Sequence, residues 1–134
     1  MQDPVQVELS RMILHAKADQ QCVYLKVVGE SLSFRIVIGV YEAAEIQRKV
    51  TGDTLRRPMT HDLIGRILDS TNHTLDRVVI TALRDDTFYA TLVLTDGQAE
   101  KVVDCRPSDG IALAMQTKAK IYAARDVIEA VANE

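Results

Sequence analysis

The stretch Asp104-Cys-Arg-Pro-Ser-Asp-Gly-Ile-Ala-Leu-Ala-Met115 constrains the fold most, because a strand-like run turns into a helix-like one within two residues. Proline loses nothing by lacking an N–H in a first helical turn, and Ser108 or Asp109 can accept bonds from the amides left unpaired there. The tract from Ile111 to Met115 is apolar on every side, which predicts a helix buried between neighbours rather than half exposed. Arg106, Ser108 and Asp109 then stand at its rim.

The flanking segments supply what such a helix packs against. Val5 to Leu9 alternates apolar and polar and runs on through Leu14 towards a turn at Asp19–Gln21. Cys22–Val28 and Leu32–Ile38 read as two further strands joined at Gly29-Glu30-Ser31, with Leu32, Phe34, Ile36 and Ile38 on one face. Next, Ala43, Ile46 and Val50 recur at helical spacing, Glu45 and Lys49 form an i,i+4 pair, and Gly52 offers a left-handed cap. Asp53 to Met59, with Arg56-Arg57-Pro58, is a loop that delivers Thr60 as the cap of a second helix. That helix carries a stripe of Leu63, Ile64, Ile67, Leu68 and Thr71, and an Asp62–Arg66 pair on its other face.

Three more β-rich runs follow, Leu75–Leu83, Phe88–Thr95 and Ala99–Cys105, with Asp96-Gly97 as a hairpin signal. They lead into the buried helix, a short Ile121–Ala123 strand and a terminal helix bearing Val127, Ile128 and Val131. The expectation is an α+β fold of two antiparallel β-meanders, each followed by helices. It forms a single domain over 1–134, whose halves, 5–71 and 74–132, are arranged as an internal duplication would leave them.

With 16 basic and 19 acidic residues the net charge is −3, so the chain lacks the basic footprint of a typical nucleic-acid binder, and any such site must be local. No apolar run approaches the ~18 residues a membrane span needs. Two distant cysteines, Cys22 and Cys105, and no charged-then-apolar leader before Val5 suggest a reduced, cytoplasmic protein. The GxGxxG, GxxxxGK[ST], HExxH, GxSxG and CxxC patterns are absent, which removes the commonest nucleotide, zinc and serine-hydrolase readings.

Two segments share one set of ingredients: Arg57-Pro58-Met59-Thr60-His61-Asp62 and Arg106-Pro107-Ser108-Asp109 each place an arginine, a proline, a hydroxyl and an acid at a helix start. Helix amides and an arginine fork suit a phosphate, which makes Arg57, Thr60, Arg106 and Ser108 candidate substrate-binding residues. The same arginines can equally clamp Asp62 and Asp109. His61 is the candidate proton-transfer group. Asp62, Asp104 and Asp109, with Asp85, Asp86, Glu42 and Glu45 behind them, are candidate oxygen ligands for a divalent cation such as magnesium or manganese. Asp85-Asp86 reads as turn chemistry, His15 and His73 as structural, and Cys105 as a buried structural thiol.

In these residues the chain resembles the bifunctional nuclease domain family, long described in bacteria and plants as a domain of unknown function. The likeness rests on Ile38-Gly39 with Glu42-Ala43, Arg57-Pro58 with Thr60-His61-Asp62-Leu63, Phe88-Tyr89-Ala90, and Asp104 to Asp109 with Ala112-Leu113-Ala114. Cys105 and Gly110 stand where the family more often has alanine, and Lys120 where proline is common. The resemblance implies a compact α+β fold, homodimerisation and the degradation of RNA and DNA reported for some members. The competing expectation is a non-enzymatic dimeric module for ligand binding or regulation, in which the same arginines and acids clamp helix ends.

Overall fold

A short strand late in the chain turns two meanders into one sheet. The computed structural model describes residues 3–14, 20–53 and 57–132. The first meander is β1 (Val5–Ile13), β2 (Gln20–Val27) and β3 (Ser33–Gly39), followed by α1 (Val40–Thr51) and α2 (Thr60–Ser70). The second is β4 (Thr74–Arg84), β5 (Thr87–Thr95) and β6 (Glu100–Cys105), followed by α3 (Pro107–Thr117), β7 (Lys120–Ala123) and α4 (Arg125–Ala132). The expected meanders form, yet they are not separate units. β7 pairs antiparallel with β1, Val5 opposite Ala123, and parallel with β4, Val78 opposite Ile121. The result is one seven-stranded sheet in the order β3-β2-β1-β7-β4-β5-β6.

Alternation decides which side of the sheet is core. Val23, Leu25 and Val27 on β2 and Phe34, Ile36 and Ile38 on β3 point inward, as do Val78 and Ile80 on β4. The sheet curls: the rings of Phe34 on β3 and Phe88 on β5 stack 5.8 Å apart although four strands separate them in the sheet. Accumulated twist explains this, helped by register breaks at Leu9/Arg11, Leu75/Arg77 and Ile80/Ala82. The two-residue turn between β4 and β5 holds Asp85 and Asp86 both at positive φ, 51° and 62°, the mirror-image turn that matches strand twist.

The curl encloses α3. Ser108, Gly110, Ile111, Ala112, Leu113 and Ala114 are all buried, as the apolar tract predicts. Gly110 is where α3 comes closest to the sheet, since a Cβ there would lie 2.6 Å from Val78 Cγ1. Alanine, which resemblance to the family leads one to expect, would not fit without movement of Val78.

The terminal helix α4 keeps Val127, Ile128 and Val131 towards the core as expected, whereas α1 and α2 depart in part from their predicted faces. On α1, Ala43 and Ile46 are buried but Val50 is exposed, and Glu45 lies inside instead. On α2, Leu63 and Ile67 are each 51% exposed, while His61 is buried and Ile64 and Leu68 pack on the core. The helix is turned by its polar end, because His61 is bonded to α3. Gly52 caps α1 as expected, with φ 78° and its amide donating to Arg48 O. His15, the Asp19 end of the first turn and Arg56 lie outside the described residues. No helix among the described residues is long and apolar enough to cross a membrane.

Candidate functional site

The polar rim begins at the start of α3. Arg106 is the N-cap with extended backbone, Pro107 takes the first helical position, and no side chain caps the helix, so neither Ser108 nor Asp109 has the capping role expected of it. Asp109 turns back onto Arg106 instead. The Arg106 guanidinium donates from Nε to Asp109 Oδ2 and from Nη2 to Oδ1, both at 2.9 Å. This bidentate fork is among the stronger ion-pair geometries, and Arg106 Nη1 also approaches Glu42 Oε2 at 3.7 Å.

The start of α2 is built differently from the expectation. Met59, not Thr60, is its N-cap, and Asp62 accepts the Met59 amide at 2.9 Å. Thr60 is exposed in the first turn. His61, one residue on, points into the helix cluster and is 8% exposed. Its Nε2 lies 3.0 Å from Asp109 Oδ1, and its Nδ1 faces Glu45 Oε1 at 3.6 Å without a hydrogen bond. Gln116 Nε2 donates to His61 O at 3.2 Å, so α3 holds this residue by both side chain and backbone.

Beyond Glu45 the network continues. Arg48 donates to Glu45 Oε1 at 2.7 Å and to Asp62 Oδ2 at 2.8 Å, and Lys49 donates to Asp62 Oδ1. The expected Asp62–Arg66 pair is not formed, because Asp62 is taken by α1. One chain of polar contacts therefore runs Glu42, Arg106, Asp109, His61, Glu45, Arg48 and Lys49, Asp62. It ties α1, α2 and α3 together at their polar faces.

The electrostatics follow from this pairing. Hydrogen bonds from His61 and then Arg106 hold the Asp109 carboxyl well below the usual carboxylate range, against the opposing effect of burial. Partial burial of Asp62 works against ionisation, but bonds from Lys49, the Met59 amide and Arg48 bring its pKa down to about 2. Arg48 likewise lowers Glu45, and Asp109 raises Arg106. Burial, with Asp109 and Asp104 adding, pushes the Cys105 thiol up to about 12, so it is no nucleophile near neutral pH.

Two clefts flank the network. The first, about 780 Å³, is lined by Arg35, Gly39, Glu42, Arg106 and Ser108 among others. The second, about 710 Å³, is lined by Arg48, Lys49, Asp62, Arg66, His73 and Gln116 among others. The network's two ends thus open into different clefts, and His61 with Asp109 links them.

Of the residues singled out from sequence, the fold brings together His61, Asp109 and Arg106, with Asp62 reached through Glu45 and Arg48. Asp104 is exposed on β6, opposite Thr91, and Arg106 bonds to Asp109 rather than to it. Arg57 is exposed before α2 and forms no hydrogen bond or ion pair among the described residues. Glu45 joins the site as an ion-pair partner rather than as the cation ligand expected, and Arg48 and Lys49 are not among the residues expected there. Their signal was the i, i+3, i+7 spacing of Glu42, Glu45 and Lys49, one helical face shared with buried Ile46.

Among the described residues no group of three His, Cys, Asp or Glu side chains is placed to hold a metal ion. The donor chemistry explains why: Asp109 and Asp62 are committed to Arg106, His61, Lys49 and Arg48, and Asp104 stands apart. The expected Asp62, Asp104 and Asp109 ligand set is not assembled among the described residues.

Comparison with known proteins agrees with this arrangement of motifs. Two uncharacterised proteins of Mycobacterium tuberculosis, one from each of two strains, are 38% identical over 93 residues, which cover 69% of this chain and 55% of theirs. The chain thus spans about half the length of those curated relatives. The description of the bifunctional nuclease domain matches residues 23–134, from β2 through α4 and hence every member of the polar network, and the chain belongs to that family.

Proposed function

We propose that the domain hydrolyses phosphodiester bonds of RNA and DNA in the first cleft. The observation that carries this reading is Arg106, a fork fixed by Asp109 at the start of α3 yet with a side chain still 63% exposed at the cleft. An arginine so oriented is prepared to take two oxygens of a phosphate, and the helix start favours the same charge. Arg35, which also lines the cleft, supplies a second cation, and Ser108 a hydroxyl.

Glu42 is the group placed to take a proton beside that phosphate. A Cβ on Gly39 would collide with its carboxylate, so the glycine lets Glu42 fold back over the start of α1, next to Arg106. In the proposed step Glu42 accepts a proton from water as its oxygen bonds to phosphorus. The bond to the leaving oxygen breaks with its electron pair, and that oxygen takes a proton from solvent. His61, buried beneath Asp109, positions the fork. With a net charge of −3, affinity for long polyanions rests on local cations and falls with salt.

A second reading is favoured by one observation: Glu45, Asp62 and Asp109 all have cationic partners already, as a helix clamp in a non-enzymatic ligand-binding or regulatory module requires. Labelled RNA and DNA separate the two. With magnesium, with manganese and with chelator, Glu42→Gln and Arg106→Ala should each lower cleavage roughly 10²-fold while the thermal midpoint holds. Absence of cleavage by the unsubstituted protein favours the clamp, and cleavage that survives both substitutions puts the activity outside Glu42 and Arg106 or in a contaminant. Homodimerisation, proposed for a surface that exposes Leu63 and Ile67, is checked by light scattering. A reducing, cytoplasmic setting is proposed on two free cysteines, Cys22 and Cys105.

A further inference from the structure

The first cleft runs along a strand as well as beside a helix start. Side chains of a strand alternate between its two faces, yet every residue of β3 from Ser33 to Gly39 lines this cleft, buried Phe34, Ile36 and Ile38 together with exposed Ser33, Arg35 and Val37. A cleft that touches both faces of a strand follows its backbone edge. β3 is the terminal strand of the sheet, so that edge has no neighbouring strand among the described residues.

The register shows which backbone groups are free. The Val27 amide donates to Leu32 O at 2.9 Å where β2 turns into β3. Bonded and non-bonded pairs alternate along an antiparallel ladder, and the register continues unbroken with Leu25 opposite Phe34, Val23 opposite Ile36 and Gln21 opposite Ile38. Phe34, Ile36 and Ile38 therefore turn N–H and C=O towards β2. Ser33, Arg35 and Val37 turn theirs towards the cleft, and no turn or loop among the described residues supplies them with a partner. An open edge without proline or bulge is a template for a further strand, and β3 has neither. At the other end of the sheet, Glu100 to Asp104 of β6 are exposed on both faces, so an added strand would find no wall there.

The surroundings of β3 set the side chains of the added strand. Those on the inner face come beside Phe34 and Ile36 and meet Leu83, Phe88 and Val131 of the cleft lining, which suits apolar residues. Those on the outer face come beside Arg35. Tyr24 stands opposite both Arg35 and Arg11, and Lys26 stands opposite both Ser33 and Glu8. The outer face of β1 to β3 thus carries Arg11, Lys26 and Arg35 against Glu8, and Arg35 has no ion pair among the described residues. This face suits acids.

We propose that β3 takes up an extended peptide segment of a partner protein as an added strand, its apolar residues alternating with aspartate or glutamate and the acids on the Arg35 face. Main-chain bonds hold such a segment and the alternate side chains select it. The proposal concerns the backbone edge of β3 and does not rest on the cleavage reaction.

A fluorescent heptapeptide of alternating valine and glutamate, blocked at both ends, is the probe, followed on the full chain by anisotropy and by amide exchange in NMR. It should bind with a Kd of about 1 mM or tighter. The Ser33, Arg35 and Val37 amides should gain protection, while those of Phe34 and Ile36, already bonded to β2, change little. N-methylation of the glutamates or of the valines keeps every side chain and strips the donors from one edge of the peptide, so one of the two methylated peptides should bind roughly tenfold more weakly than the other. Val37→Pro removes an N–H that faces the cleft without taking a bond from β2, so the fold should hold in a thermal melt and binding should fall roughly tenfold. Arg35→Glu should weaken this peptide and strengthen one with lysine in place of glutamate. No nucleic acid is present, so a failed titration leaves the cleavage reading untouched, and a failed cleavage assay leaves this one standing. No binding at 1 mM, equal binding of the lysine peptide, or indifference to both N-methylations overturns the proposal. Protection of the same amides by oligouridylate but not by the peptide gives the edge to nucleic acid and overturns it equally.

Discussion

His61 Nε2 and Asp109 Oδ1 lie 3.0 Å apart across 48 residues of sequence, and this contact joins α2 to the central helix α3. Asp109 accepts from His61 on one side and from Arg106 on the other, so the imidazole sits behind the arginine fork rather than beside solvent. Buried polar groups are nearly always bonded, and the chain from Asp109 to Asp62 meets that condition except at the Nδ1 face of His61, while at its exposed end Glu42 only approaches Arg106 at 3.7 Å.

Removing the imidazole tests its structural share. His61→Ala deletes a buried, bonded ring and should cost about 2–4 kcal/mol in urea unfolding. Paired with Asp109→Asn in a double-mutant cycle, it should show a coupling of about 1–3 kcal/mol. Coupling near zero would mean that the two residues act independently and that α2 is held by its other contacts, Ile64 and Leu68 on the core and Asp62 on Arg48 and Lys49.

Gly39→Ala separates cleavage from folding. The backbone at Gly39 is extended, at φ −76° and ψ 167°, so alanine meets no backbone strain there, but its Cβ displaces the Glu42 carboxylate. Cleavage should fall roughly 10²-fold, as for Glu42→Gln, with stability changed by less than about 1 kcal/mol. Full activity in this variant would remove Glu42 from the reaction.

Acid should loosen the helix cluster with a defined sign. Asp62 has a folded-state pKa depressed to about 2 from 3.8, so its contribution to stability is complete above the unfolded value and is lost as pH falls through 3.8 towards about 2. Asp109 and Glu45 are depressed in the same direction and add to the loss. Allowing for partial exposure of the Asp62 side chain, Asp62→Asn should cost about 1–2 kcal/mol at neutral pH and much less near pH 2.5. Urea midpoints at the two pH values check this, and an equal cost at both would contradict the assignment of the stabilisation to ionised Asp62.

How much of this was readable from sequence depends on the range of the interaction. The inward face of Phe34, Ile36 and Ile38, the cap at Gly52 and the burial of α3 are local patterns, and they stand as expected. The pairing of Arg106 with Asp109 is three residues long and equally local. The union of the meanders was not legible, because the four residues of β7 carry no period that names β1 and β4 as partners. The face of α2 was misread for a related reason. Leu63 and Ile67 form a convincing stripe, but the helix turns on the bond from His61 to Asp109, and nothing near His61 in sequence announces that partner. Glu45 beside Lys49 looks like a surface pair, but it is buried on a fork from Arg48 of its own helix, and the neighbours that bury it, His61 and Asp62 of α2, come from outside the local sequence.

Gly110→Ala probes the close approach of the central helix to the sheet. The added Cβ would lie 2.6 Å from Val78 Cγ1, on a side chain that is fully buried in β4 and would have to move to admit it. Helix propensity alone favours alanine by up to about 1 kcal/mol, but overpacking of this kind typically costs about 1–3 kcal/mol, and here the second effect should win. The single variant should therefore be less stable in urea unfolding. Val78→Ala removes the obstructing methyls, so Gly110→Ala in that background should be neutral or stabilising. If Gly110→Ala stabilises the chain by itself, α3 can shift away from β4, and the packing argument for glycine at this position fails.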